Sequence, residues 1–222
     1  IEYNENKVST ILTDTSIDIG KLYIFCTLLF IERYEFITNN LLLMKELKHM
    51  ILLLTIKHPM YNLIYKTSIY NIIERKVIKD LYSYIHSSYL IDQKDIYNNI
   101  DKDQDIYFLP KTKTSELVEL TIVNASKIFK LIPNILHPND KIEILIQMIQ
   151  NISNELKQNN INMSCDELTP IICEIIVRNI NIIPNVEIQM IYDYLGHKTD
   201  ENGYIATVLM ASLTSLKKIK ED

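Results

Sequence analysis

Only three glycines, Gly20, Gly196 and Gly203, punctuate the 222 residues of this chain. About fifteen would be expected at ordinary usage of roughly 7%. Glycine is the default residue where the backbone needs a positive φ or must lie against a phosphate. Hairpin-rich β architectures therefore lack their turn residues. There is no GxGxxG and no GxxxxGK[ST], so neither a Rossmann site nor a P-loop can be built. The Ile and Asn richness is compatible with an AT-rich coding sequence, so β-branched content is not read as strand.

The apolar residues recur instead at three-to-four spacing, the period of an amphipathic helix. Helices are predicted from about Ile17 to Ile37, stopped at Asn39-Asn40, and from Leu41 to Lys57, ended by His58-Pro59. Two more are expected between Met60 and Leu90, with a stripe that includes Val77, Ile78, Leu81 and Ile85. The polar run IDQKDIYNNIDKDQD from Ile91 to Asp105 reads as a loop. Helices resume from Thr114 or Ser115 to about Leu131, and from Pro138 to about Lys157. Ser164 and Glu167 form a capping box at the head of the next helix. Pro184 separates it from one at about Val186 to Leu195, for which Gly196 is expected as a left-handed cap. The last helix is expected from Tyr204 to Lys218, with Lys217, Lys218 and Lys220 complementing its C-terminal dipole. No fixed repeat marks a solenoid. The expected fold class is all-α, a layered helical bundle.

Charge and cysteine usage narrow the function classes. The net charge is −5, and arginine occurs only at Arg33, Arg75 and Arg178. That is no footprint for nucleic-acid phosphates. Cys26, Cys165 and Cys173 make an odd set without a CxxC pair, so neither a disulfide framework nor a zinc site fits. No HExxH joins the five histidines, and no cluster of Cys, His and carboxylate converges on a catalytic pattern. No metal and no cofactor are expected, and the expected compartment is the reducing cytoplasm. The apolar run Leu22–Ile31 is too short to span a bilayer, and Leu41–Ile56 is broken by Lys45, Glu46, Lys48 and His49. The chain begins with Ile, which predicts a fragment or a processed product.

The C-terminal stretch carries the most specific pattern. It contains Asp166-Glu167-Leu168-Thr169-Pro170, then Ile188-Gln189-Met190-Ile191, then Gly203-Tyr204-x-x-Thr207, then a tail with Leu209, Ala211, Ser212 and Leu213. In order and spacing these features resemble the vacuolar protein sorting 9 domain, the module of guanine nucleotide exchange factors for Rab-5-class GTPases. Two weaker matches lie upstream, at Pro138 to Ile142 and at Glu74 to Ile85. The resemblance runs over about residues 70–220. It divides the chain into an N-terminal helical bundle segment, 1–69, packed on an exchange domain, 70–222, with 91–113 as a loop or insertion.

What the resemblance implies is a GTPase regulator rather than an enzyme of covalent chemistry. Asp166 aligns with an acidic finger that competes for the Mg²⁺ position and pairs with the phosphate-binding lysine of the GTPase. Tyr204 aligns with the aromatic that engages the switch region and orients the finger. Pro170, Thr207, Glu167, Gly203 and Glu187 are the further residues expected at the GTPase-binding groove. The implied partner is a Rab-5-class small GTPase in its nucleotide-free and GDP forms. The implied setting is endocytosis and vesicle trafficking, with recruitment to endosomal membranes through partners. Two departures accompany the match: Glu187 stands where relatives usually carry Asn, and Met190 replaces an aromatic. The residues alone leave a second reading open. Asp166 can be a first-turn acid that stabilises its helix, Tyr204 a core tyrosine among fourteen, and the whole a helical interaction scaffold without exchange activity.

Overall fold

The computed structural model describes residues 2–34, 39–61, 66–97, 115–159, 165–179 and 185–218. Among them the fold is all-α, as the periodicity requires, with nine α-helices and no strand. The chain divides into two compact units, Ile1–Tyr89 and Leu90–Asp222.

The first unit holds α1 (Glu2–Thr13), α2 (Asp18–Tyr34), α3 (Asn40–Lys57) and most of α4 (Lys66–Tyr97). Among the described side chains of helix α1 the buried apolar ones are Val8 and Leu12, too short a stripe to recognise from the sequence. Helix α1 packs on α2, and α2 on α3. Asn39 caps α3, its side-chain oxygen accepting from the Leu42 N–H at 3.1 Å. Helix α4 joins this bundle through polar contacts as well as apolar ones. The Tyr23 phenol donates to Asp80, which also pairs with Lys76 one turn away. Burial and then the Asp80 carboxylate hold that phenol well above the ordinary tyrosine range.

Two helices were expected between Met60 and Leu90, but α4 is one helix of 32 residues. It runs on to Tyr97, into the segment read as a loop. The reason is physical: neither Gly nor Pro interrupts residues 66–97. Extending an existing helix over Asp, Gln and Lys costs little compared with nucleating one. The remainder of the expected loop, 98–113, lies outside the described residues.

The second unit holds α5 (Ser115–Phe129), α6 (Pro138–Gln158), α7 (Cys165–Asn179), α8 (Asn185–Leu195) and α9 (Glu201–Lys218). Helix α5 packs on α6 and α7, and α9 on α6, α7 and α8. Pro133 lies in a short 3-10 turn, Ile132–Asn134, that breaks the path between α5 and α6. His137 caps α6 by accepting from the Asn139 N–H at 3.2 Å, with Pro138 at the first helical position, where its missing N–H costs nothing. The expected capping residue Ser164 lies outside the described residues, though α7 starts directly after it.

Gly196 does not act as expected. Its φ is not in the left-handed region, and its N–H continues the helical pattern to the Tyr192 carbonyl at 2.7 Å. What requires glycine there is space: a Cβ would sit 2.7 Å from both the ring and the carbonyl of Tyr192.

Candidate functional site

The motifs of the C-terminal stretch fall on α7, α8 and α9. Each helix start is fixed by a local device. Helix α9 begins at Glu201, three residues before the expected Tyr204, because Asp200 caps it. The Asp200 side chain accepts from the Gly203 N–H at 3.1 Å, and its carbonyl accepts from the Tyr204 N–H at 3.1 Å. Gly203 is therefore inside the first turn rather than in the preceding loop. It is buried, and a Cβ there would run into the Lys198 backbone carbonyl. Only glycine lets the loop fold back this closely on the start of α9.

The two residues that follow on that helix face outward. Tyr204 is 48% exposed, so it is not the core tyrosine that its abundance suggested. Thr207, one turn on, is also exposed, and its hydroxyl donates to the Gly203 carbonyl at 2.8 Å. Gly203, Tyr204 and Thr207 thus form one continuous element at the head of α9.

Helix α7 carries the acidic motif. Asp166 and Glu167 occupy its first turn, but their side chains lie outside the described residues. Pro170 stands inside the helix and is half-buried. Proline has no N–H and its ring crowds the carbonyl four residues back. That carbonyl belongs to Asp166, so the opening turn loses one of its own hydrogen bonds at this residue. The middle of α7 is held by apolar packing of Ile171, Ile172, Ile175 and Ile176. Its far end is clamped to α5. Arg178 makes a two-armed contact with Glu119, one arm at 2.7 Å, and its third nitrogen reaches Glu174 at 2.6 Å. Asn179 donates to the Ser126 hydroxyl at 3.1 Å. The Glu119 carboxyl is pulled below the usual range by that arginine. Helix α7 is thus anchored at its C-terminal end and loosened at its first turn.

Helices α7 and α9 pack together, with the Cys173 thiol donating to the Ser212 carbonyl at 3.5 Å. Burial pushes that thiol up to about 11, which makes it a poor nucleophile. Asp166 lies seven positions before Cys173, roughly 10 Å along α7, and Tyr204 eight before Ser212, roughly 12 Å along α9. Both motif residues are therefore about two turns from the same crossing contact.

Glu187 behaves differently from its expected place in a partner groove. It is 2% exposed, in the first turn of α8, and pairs with Lys141, which is 0% exposed in the first turn of α6. Burial lowers the Lys141 ammonium from its ordinary value, and the Glu187 carboxylate opposes that shift. A carboxylate at this depth offers no charge at the surface. The role of Lys141 was missed, although the sequence carried the signal. Residues 138, 142, 145, 149, 152 and 156 form the buried stripe of α6, and position 141 falls on that stripe. A lysine in an apolar stripe needs a buried acid. Next to the pair, the His137 and Tyr194 rings meet edge-on with centroids 6.2 Å apart.

Among the described residues, no group of three or more His, Cys, Asp and Glu could hold a metal ion. No described helix is long and apolar enough to cross a membrane. The α5–α9 unit carries an exposed tyrosine and threonine at the head of α9 and an interior proline in α7, on two helices that pack together. Residues 122–221 match the family model of the Vacuolar sorting protein 9 (VPS9) domain, consistent with the VPS9 family of Rab guanine nucleotide exchange factors. The resemblance read from the motifs is borne out over those residues. The VPS9 domain is in general a guanine nucleotide exchange domain that regulates small GTPases. No curated protein matches the chain.

Proposed function

We propose that this chain accelerates GDP release from a Rab-5-class, endosomal GTPase, with Asp166 as the acidic finger. In this reading Asp166 reaches the nucleotide site of the partner, displaces its Mg²⁺ and pairs with its phosphate-binding lysine. The diphosphate then loses the charge neutralisation it needs. Tyr204 packs on the switch region, burying its ring while the hydroxyl remains available to a carboxylate. Thr207 extends that contact, Pro170 shapes the turn that carries the finger, Glu167 flanks it and Gly203 sets the start of α9. No covalent step is involved. The factor binds the nucleotide-free GTPase best and shifts the population toward it. The exchange domain is read as residues 70–222, preceded by the helical segment 1–69, with action at endosomal membranes through partners.

The observation that carries the reading is the pairing of an exposed Tyr204 at the head of α9 with the Pro170-loosened first turn of α7, on two helices that pack together. The Glu187 departure had favoured a scaffold that no longer exchanges nucleotide. A carboxylate neutralised by Lys141 in the core gives that alternative no support. The test is retention on a sizing column with a Rab-5-class GTPase. Preferential complex formation with the nucleotide-free form is expected, and equal retention of the GDP-loaded and nucleotide-free forms counts against exchange.

A further inference from the structure

Helices α2 and α3 are apolar on two sides. Their inner sides supply core residues such as Tyr23, Phe30, Leu47 and Ile51. Their outer sides keep Phe25 at 59% and Leu28 at 60% exposed on α2, and Leu52 at 48% and Ile56 at 50% on α3. Each of these pairs is spaced by one turn, so the exposed groups form two ridges. Between the two helices is a cavity of about 210 Å³, lined by Cys26, Leu29, Phe30, Met50 and Leu53 together with Arg33, Glu46 and His49. Arg33 and Glu46 approach to 4.0 Å, and both are well exposed. A helix that is apolar on all sides ordinarily has both faces covered. Small-molecule pockets usually run from about 300 Å³ upward, so this cavity suits a single large side chain rather than a whole ligand.

The charges favour one kind of occupant. Helix α3 carries Lys45, Lys48 and Lys57 against Glu46 alone, in a chain whose net charge is −5. Lys45 and Lys57 are exposed and bracket the cavity, one turn before His49 and one turn after Leu53. They are twelve positions apart, about 18 Å along the helix. A flat bilayer surface fits a grooved face with a side-chain-sized cavity less well than a helix does.

We infer that the α2–α3 groove docks an amphipathic helix of another protein. Its apolar stripe would run at i, i+3/i+4 and i+7, with one large anchor in the cavity and carboxylates about three turns apart meeting Lys45 and Lys57. This surface belongs to the first unit, and the inference does not depend on exchange activity.

The test uses the full 222-residue chain and three probes. One is a fluorescein-labelled, helix-stabilised peptide with leucines at those spacings and glutamates flanking them. The second is the same peptide with lysine for glutamate. The third is vesicles of phosphatidylcholine and phosphatidylserine at about 70:30. Saturable anisotropy binding is expected for the glutamate peptide, at least about tenfold tighter than for the lysine peptide. Phe25→Asp and Leu28→Asp, both at exposed positions, should abolish it while the thermal melt stays unchanged. Lys45→Glu with Lys57→Glu should invert the preference between the peptides. Equal affinity for both peptides, indifference to Leu28→Asp, or flotation with vesicles in place of peptide binding would overturn the inference.

Discussion

Replacing Glu187 by Gln removes a carboxylate that pairs with Lys141, a lysine with no exposed surface. The ammonium of Lys141 would stay in the core with an amide in place of a carboxylate. Removing one partner of a buried pair costs up to about 3–5 kcal/mol, because the remaining charge loses its counter-charge in the core. At roughly 3 °C per kcal/mol for a domain of this size, the melt of the second unit should fall by roughly 10 °C. The pH dependence gives an independent check. The folded-state pKa of Lys141 lies below its unfolded value, so the unfolded chain binds more protons in the window between them. Stability therefore rises as pH climbs through that window. The penalty for burying the charged form is fully present below the folded pKa. In Glu187→Gln the carboxylate that opposes the shift is gone. The window should open at lower pH, and alkaline conditions should recover more of the lost stability than in the wild type. A third arm uses Lys141→Met with Glu187→Leu. Replacing both partners by apolar groups of similar size is often neutral or stabilising, so the double variant should exceed either single variant. The assay is far-UV circular dichroism during thermal and urea unfolding at several pH values, following each transition separately because two units can unfold independently. A loss below about 1 kcal/mol in Glu187→Gln, with no recovery in the double variant, would refute the reasoning, since that is what an exposed pair delivers.

Three further perturbations follow from local geometry. Gly203→Ala puts a Cβ against the Lys198 carbonyl and should cost about 1–3 kcal/mol. It should lower partner binding as well, because Tyr204 is the next residue; a melt equal to wild type would contradict the close approach. Pro170→Ala returns an N–H to the Asp166 carbonyl and should raise stability, at most by the roughly 3 kcal/mol that an interior proline costs. It should at the same time reduce nucleotide exchange, and unchanged exchange would remove Pro170 from the working part of the site. Tyr23→Phe deletes the hydroxyl that donates to Asp80 and should cost about 1–2 kcal/mol, with Lys76 still holding the carboxylate; urea titration of the first unit measures it.

Much of the helix content was legible because the apolar spacing is regular and Pro or Asn marks several ends. The helix bounds that the sequence misplaced each have a local cause. Helix α9 begins at Glu201 because Asp200 caps it, and a glycine at the third position disguised that start as a turn. Helix α4 runs past Ile91 because polarity alone does not stop a helix that is already nucleated. At the site, the acidic turn and the Gly-Tyr element were legible as a joint pattern, while the meaning of Glu187 was not. A charge that departs from a family pattern can be an altered surface or half of a buried pair. Only its partner decides, and Lys141 lies 46 positions away in sequence. Exposure was equally hidden: nothing in fourteen tyrosines distinguishes Tyr204, at 48%, from Tyr194, at 2%.

The most direct measurement is the release of fluorescent GDP from a Rab-5-class GTPase in the presence of the intact chain and of its Asp166→Ala variant. The proposed function predicts strong acceleration by the wild type and the intrinsic release rate with the variant, both proteins showing the same helical circular dichroism. Equal acceleration by the two, or none by the wild type, would contradict the assignment of Asp166 as the finger of an exchange factor.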